Sequence, residues 1–268
     1  MFTITRITFI LILFLMMLPL RTPGQSQPAE EAAFGEILSV REIKLNLDIE
    51  TAEFEDFVAN SLYPAWNEHL SGSHFLVLKG DRGNRAGQYL ALCTYETAQW
   101  KAYYDKDISI EEYIRNRQDM RSMKAVWNQF LEMVEFPEAC GDYRIVGFEN
   151  YSTVPAVESF GIHNIVVKSG QGQSLENFMK NRWINSVHIP AYRGFVLKGQ
   201  NDSARDYIWI SAFDPGEMRD GYFPNPGESS PAWEQAMVPV QKLFNELESY
   251  MEYEPGTEGR YTDYHLVE

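Results

Sequence analysis

Cysteine is nearly absent from this chain: Cys93 and Cys140 are the only two among 268 residues. That excludes a small secreted scaffold framed by disulfides. Both lie in or beside strand-like sequence, so two buried thiols and one bridge are both open readings. Basic residues are scarce as well, with 23 Lys and Arg against 38 Asp and Glu and a formal charge of -15. Such a balance repels nucleic-acid backbones and anionic membranes, so no nucleic-acid partner is expected. The five histidines show no HxH, HxxxH or HExxH spacing, and no metal site is expected. Gly-x-Ser-x-Gly is missing, and Gly170-Gln171-Gly172-Gln173 lacks the lysine and serine of a phosphate loop.

No hydrophobic run is long enough for a comfortable membrane span, which needs about 20 residues. The longest, from Phe9 to Leu20, follows Arg6 and leads into Arg21-Thr22-Pro23-Gly24-Gln25-Ser26. A basic start, a short apolar core and small residues beyond it are the pattern of a secretory signal peptide. Residues 1–26 are therefore expected to be a signal peptide cleaved between Thr22 and Ser26. The mature chain is expected to be secreted or periplasmic, with no stable membrane insertion. Losing Arg6 and Arg21 makes it more acidic still.

What the chain does have is an internal repeat. Asn60 to Glu96 and Asn181 to Asp214 each carry a helix with Asn and an aromatic, a strand closing on Leu-Lys-Gly, a polar turn, and a strand running from Tyr to an acid. Phe57 matches Phe178 and Asn60 matches Asn181, 121 positions apart, while Lys79-Gly80 matches Lys198-Gly199 at 119. The drift falls in turns, where a change of length is tolerated.

Element by element, alternation over Ile43–Asp48 predicts a strand with Ile43, Leu45 and Leu47 on one face. Phe54, Phe57, Val58 and Leu62 then stripe a helix that Pro64 is expected to end. A hairpin spans His74–Lys79 and Tyr89–Tyr95, a helix follows with Met123, Trp127 and Phe130, and Asp142–Val146 is a strand. The second copy repeats this: strand Ile162–Val167, a helix with Ser174 as cap candidate, hairpin Phe195–Lys198 and Tyr207–Phe213, helix Pro231–Met251, strand Tyr264–Val267. The order β-α-β-β-α-β gives an antiparallel sheet with helices on one face. The strands are apolar on both faces, so a second burying surface is required, and the other copy supplies it. The expected fold class is α+β: ferredoxin-like repeats over residues 36–148 and 160–268, a linker at 149–159, and the two sheets packed face to face as an intrachain α/β barrel.

The helix–strand–Lys-Gly–hairpin pattern over roughly residues 38–268 resembles the dimeric α/β-barrel superfamily in tandem form. The antibiotic-biosynthesis-monooxygenase-like and NIPSNAP-like groups are the most similar. The resemblance implies a small-molecule space between the sheets in a monomer or homodimer. It also implies activities ranging from cofactor-independent oxygenase and haem enzyme to none, so fold alone does not decide whether the chain is an enzyme.

Function is expected where the copies disagree. Aligned 121 apart, Glu42 stands against His163 and Arg144 against His265, a polar set for acid–base work or anion binding if it faces inward. Trp209 and Tyr207 would wall an apolar or aromatic ligand in the barrel interior. The bland alternative is partly wet strand residues around a solid core. His188 and His69, after the first helix of each copy, are the haem-ligand candidates; otherwise no cofactor is expected. The repeated lysines Lys79 and Lys198 read as solvated strand ends.

Overall fold

Strands that are apolar on both parities need two burying layers, and the fold provides one inside and one outside a closed sheet. The computed structural model describes residues 37–83, 85–103, 110–136, 141–146, 159–200, 206–213, 217–225, 228–253 and 262–267. The expected signal peptide, Cys140 and nearly all of the expected linker lie outside them. In the first half, β1 (Ile37–Leu45) leads to α1 (Thr51–Phe57), a π-helical turn (Val58–Leu62) and α2 (Tyr63–His69). The hairpin β2 (Ser73–Gly83) and β3 (Tyr89–Tyr95) follows, then α3 (Thr97–Tyr103), α4 (Ile110–Asn116), α5 (Arg121–Met133), β4 (Val134–Glu135) and β5 (Gly141–Ile145). The second half runs β6 (Ser159–Val167), α6 (Gly172–Phe178), a π-helical turn (Met179–Trp183), α7 (Ile184–Ser186), β7 (Tyr192–Gln200) and β8 (Tyr207–Phe213). It ends with α8 (Glu217–Tyr222), α9 (Pro231–Met237), α10 (Gln241–Tyr250), β9 (Met251–Tyr253) and β10 (Thr262–Leu266).

Eight antiparallel strands form a closed barrel in the order β10-β2-β3-β1-β5-β7-β8-β6, with β6 returning to β10. The paths β2-β3-β1-β5 and β7-β8-β6-β10 are the same. The last strand of each half crosses to the hairpin of the other, β5 onto β7 and β10 onto β2. One parity of each strand points inward, where Leu38, Leu78, Leu92, Phe160, Leu197 and Ile210 belong to a single buried cluster. A barrel of eight strands is just wide enough for side chains to fill it. The space expected for a ligand between the sheets is thus taken by packed Leu, Ile, Phe and Tyr side chains.

The other parity meets the helices, as Phe75, Val77 and Cys93 do beneath Trp66, Trp127 and Phe130 in the first half. In the second half Val196, Tyr207 and Trp209 lie beneath Phe178, Trp183 and Leu247. Trp209 and Tyr207 are therefore helix-facing, not barrel walls.

Several expected boundaries move for identifiable reasons. β1 begins earlier than the alternation suggested, because its ladder with β3 runs from Ile37 to Ile43; Leu47, past its end, is fully exposed. Pro64 does not end the first helix. It sits just past the π-turn, inside a run that stays helical from Thr51 to His69. It does not cause the π-turn either, since Met179–Trp183 makes the same turn without a following proline. Ser174 lies inside α6, whose N-cap is Gln171. The last long helix breaks into α9 and α10, with Ser230 capping the first by accepting from the Trp233 N–H at 3.3 Å.

Closure of the barrel brings charge into its wall. Asp263 on β10 is fully buried and accepts from Arg82 on β2, with N–O distances of 2.7 and 2.8 Å. Arg219 on α8 reaches the same carboxylate at 3.9 Å, Asp81 at 2.8 Å and the Ser159 hydroxyl at 2.9 Å. Burial works against the Arg219 charge, but Asp81, Asp263 and Asp220 outweigh it and hold the guanidinium above its ordinary range. Removing one member of such a set strands the rest. Asp263→Ala is expected to cost about 3–5 kcal/mol, measured as a drop in the urea midpoint against wild type.

Candidate functional site

The twin seams where the halves meet are built alike and finished differently. At each, a glutamate on the first helix ties the hairpin down. Glu55 Oε1 receives Lys79 at 2.7 Å and the Tyr89 hydroxyl at 2.6 Å. Glu176 Oε1 receives Lys198 at 2.7 Å and the Tyr207 hydroxyl at 2.9 Å. Burial and then the neighbouring carboxylate push both phenols well above their ordinary range. Burial pushes the Glu55 carboxyl up, but Lys79 and Tyr89 prevail and hold it below the usual range. The repeated lysines are thus ion-paired, not merely solvated. Gly172 lies against the second lock: a Cβ there would stand 3.0 Å from the Tyr207 oxygen, which would have to give by a few tenths of an ångström.

Beside the second lock, and lined by it, is an open groove of about 310 Å³. One wall is a helical stripe, Gln173, Glu176, Asn177 and Lys180, whose i, i+3, i+4, i+7 spacing puts all four on one face. The other wall is Arg144, Ile145 and Val146 together with Lys198. Arg144 and Lys198 are direct cross-strand partners, β5 against β7, so pairing between the halves assembles the site. Among the described residues, three cations and one carboxylate line it, in a chain of net charge -15. At the twin seam His265 pairs across from Lys79. The matching helix positions there are Ala52, Glu55, Asp56 and Ala59.

The expected site residues are dispersed. Arg144 lies in the groove and its match to His265 holds in the strand pairing. His265 faces outward and bonds Asp81 through Nδ1. The match of Glu42 with His163 does not hold. His163 pairs with Trp209 as Arg41 pairs with Ala91, so Arg41 is the counterpart. A slip of one residue changes the face: Glu42 shares the inward parity of Leu38 and Val40 and pairs with Arg85, whereas His163 points toward the helices. Glu42, Arg144, His163 and His265 therefore do not form one inward patch. Lys180, Gln173, Asn177, Glu176 and Lys198 were not anticipated, although the stripe and its Ala-rich twin were visible in the sequence.

Burial lowers the His163 pKa to about 4. Between pH 6.5 and 4 the unfolded chain binds a proton there that the folded chain does not. Stability is expected to be complete above pH 6.5 and to decline toward pH 4. In His163→Phe that part of the decline should vanish, as read from urea midpoints at several pH values.

Tyr207 forms part of the second lock, while Trp209 does a packing job particular to the second half. Its indole N–H donates to Ser211 at 3.0 Å, and its ring lies against Gly194, where no Cβ would fit. In the first half the sizes are exchanged, Phe75 standing in place of Gly194 and Ala91 in place of Trp209. A remnant space of about 10 Å³ beside Ala91 and Phe75 is too small for a metabolite. Gly194→Ala is expected to cost about 1–3 kcal/mol by overpacking, whereas Trp209→Phe combined with it should recover part of the lost melting temperature.

His69 bonds the Ser122 hydroxyl at 2.6 Å and His188 is exposed. The helix–sheet layers beside them are filled by rings such as Trp66, Trp127, Trp183 and Trp209. Neither histidine is among the described residues that line the groove beside the second lock. Nor does any group of three or more His, Cys, Asp or Glu among them have the placement to hold a metal ion. None of the described helices is long and apolar enough to cross a membrane.

No family model and no curated protein matches the chain. Solved structures do. A provisionally assigned monooxygenase from Lactobacillus acidophilus is 9% identical over 87% of this chain and 94% of its own, with a TM-score of 0.50. A haem-binding protein from Thermus thermophilus is 8% identical over 87% and 91%, with a TM-score of 0.46. A provisionally assigned chlorite dismutase is 8% identical over 86% and 94%, with a TM-score of 0.47. At this identity the likeness to the first shows a shared α+β barrel fold and nothing further.

Proposed function

We propose that this chain is an exported small-molecule binder of the dimeric α/β-barrel superfamily, built as tandem ferredoxin-like repeats, whose ligand carries a negative charge and docks in the groove at the β5–β7 seam. The repeat reading is supported by the identical strand order of the halves and by twin π-turns 121 positions apart. Export rests on the pattern of residues 1–26. The observation that carries the binding reading is the gathering of Arg144, Lys180 and Lys198 at one seam and not at its twin. The volume stands at the lower end of ligand sites, which run from about 300 to 1,000 Å³. Arg144 offers a planar fork suited to a carboxylate or phosphate, and the lysines act as point charges. Gln173 and Asn177 add amide groups that can orient the remainder of the ligand.

An interior ligand is disfavoured by the packed barrel, and haem by the placement of His69 and His188. Calorimetric titration at low salt with phenyl phosphate and citrate, and with neutral benzyl alcohol, tests the reading. Both anions should bind and benzyl alcohol should not. Arg144→Glu or Lys180→Glu should weaken binding by about tenfold or more, a change of about 1.4 kcal/mol. Equal binding of all three probes, or no effect of either reversal, would discard it.

A further inference from the structure

We propose that Lys198 is shared between Glu176 and the bound anion, so that the ligand must draw this lysine from the lock that ties α6 to the hairpin. The inference rests on the groove being the binding site. Lys198 lines the groove and bonds Glu176 at 2.7 Å, so one ammonium serves both. Its twin is held more tightly. Lys79 is 28% exposed and lies over the Tyr89 ring at 6.0 Å, adding a cation–π contact to its ion pair. Lys198 is 47% exposed, and among the described residues no such stacking is found over Tyr207. A lysine so exposed gains little from its ion pair. Letting it go is therefore cheap, and the Tyr207 hydroxyl, donating to the same Glu176 oxygen at 2.9 Å, keeps the carboxylate paired. The outcome is a site whose affinity is set by Glu176, which competes with the ligand for one cation. Glu176 then sets specificity by competing for the lysine: a weak anion cannot win it and a strong one can.

A double-mutant cycle decides this, with phenyl phosphate as probe and melting temperatures recorded for every variant. Glu176→Gln keeps an acceptor for Tyr207 but gives up its claim on the lysine. In the wild-type background it should raise phenyl phosphate affinity at least about fivefold, a coupling of the size seen between contacting residues. In Lys198→Met the same change should raise affinity by less than about twofold, since only the long-range charge effect remains. Lys79→Met, the control at the other seam, should leave affinity unaltered. An equal gain in both backgrounds would mean that Lys198 stays with Glu176, and the inference would be overturned while the groove stood. Absence of phenyl phosphate binding by the wild-type protein would remove the groove and the inference together. If Glu176→Gln lowers the melting temperature sharply, Glu176→Asp replaces it, a shorter carboxylate expected to raise affinity in the same lysine-dependent way.

Discussion

Exchange of last strands between the halves is the constraint on which the rest of this structure depends. A four-stranded sheet with helices on one face leaves its other face bare. Here each bare face finds the other, and β5 and β10 fasten the pair by crossing to the opposite hairpin. The two crossings are not finished alike. At one, β10 carries a wholly buried Asp263 between Arg82 and the neighbourhood of Arg219. At the other, β5 carries Asp142, bonded by the Ser39 hydroxyl, and Arg144. One seam has its charges folded inward as a fastening, and the other gathers Arg144, Lys180 and Lys198 around an open groove. The same strand order thus occurs twice, and the two seams differ in how their charged side chains are placed.

Divergence in the packing layers follows the same rule in apolar terms. Phe75 with Ala91 and Gly194 with Trp209 are two solutions to one volume, with the large ring moved from one hairpin strand to the other. Interiors pack at crystal-like density, so neither substitution could stand without its partner. The Glu–Lys–Tyr locks, by contrast, are the same in both halves. Their likeness marks them as part of the scaffold, and they differ in how far each lysine reaches into solvent and in the placement of Lys79 over the Tyr89 ring.

Much of the architecture was legible because it depended on local pattern. The hairpins were marked by Leu-Lys-Gly and by strands running from Tyr to Tyr or Phe, and the halves announced themselves by a nearly constant spacing. Barrel closure followed from apolar residues on both parities. The site was less legible, because its walls come from different halves. Nothing local says that Arg144 will stand across from Lys198, since that pairing is made only when β5 meets β7. Glu42 and His163 show the complementary difficulty. A spacing read over helices and turns was carried into a strand, where one residue of error turns a side chain to the opposite face. Tyr207 and Trp209 were placed in the correct strand, but period-2 alternation cannot say which side of a sheet bound on both faces is the interior.

The twin crossings also bear on how the chain reaches its native state. β10 lies between β2 and β6, so its ladder with β2 joins residues far apart in sequence, such as Leu266 and Leu78. Contacts this remote in sequence are slow to form, because a long loop must close before they give any return. Until then β2 and β6 have raw edges, and the inward leucines of an incomplete sheet face water. A chain emerging from its N-terminus during synthesis would pass through that state in every copy made. The seam that completes the barrel is therefore also the point at which a folding molecule is most exposed to pairing with a neighbour.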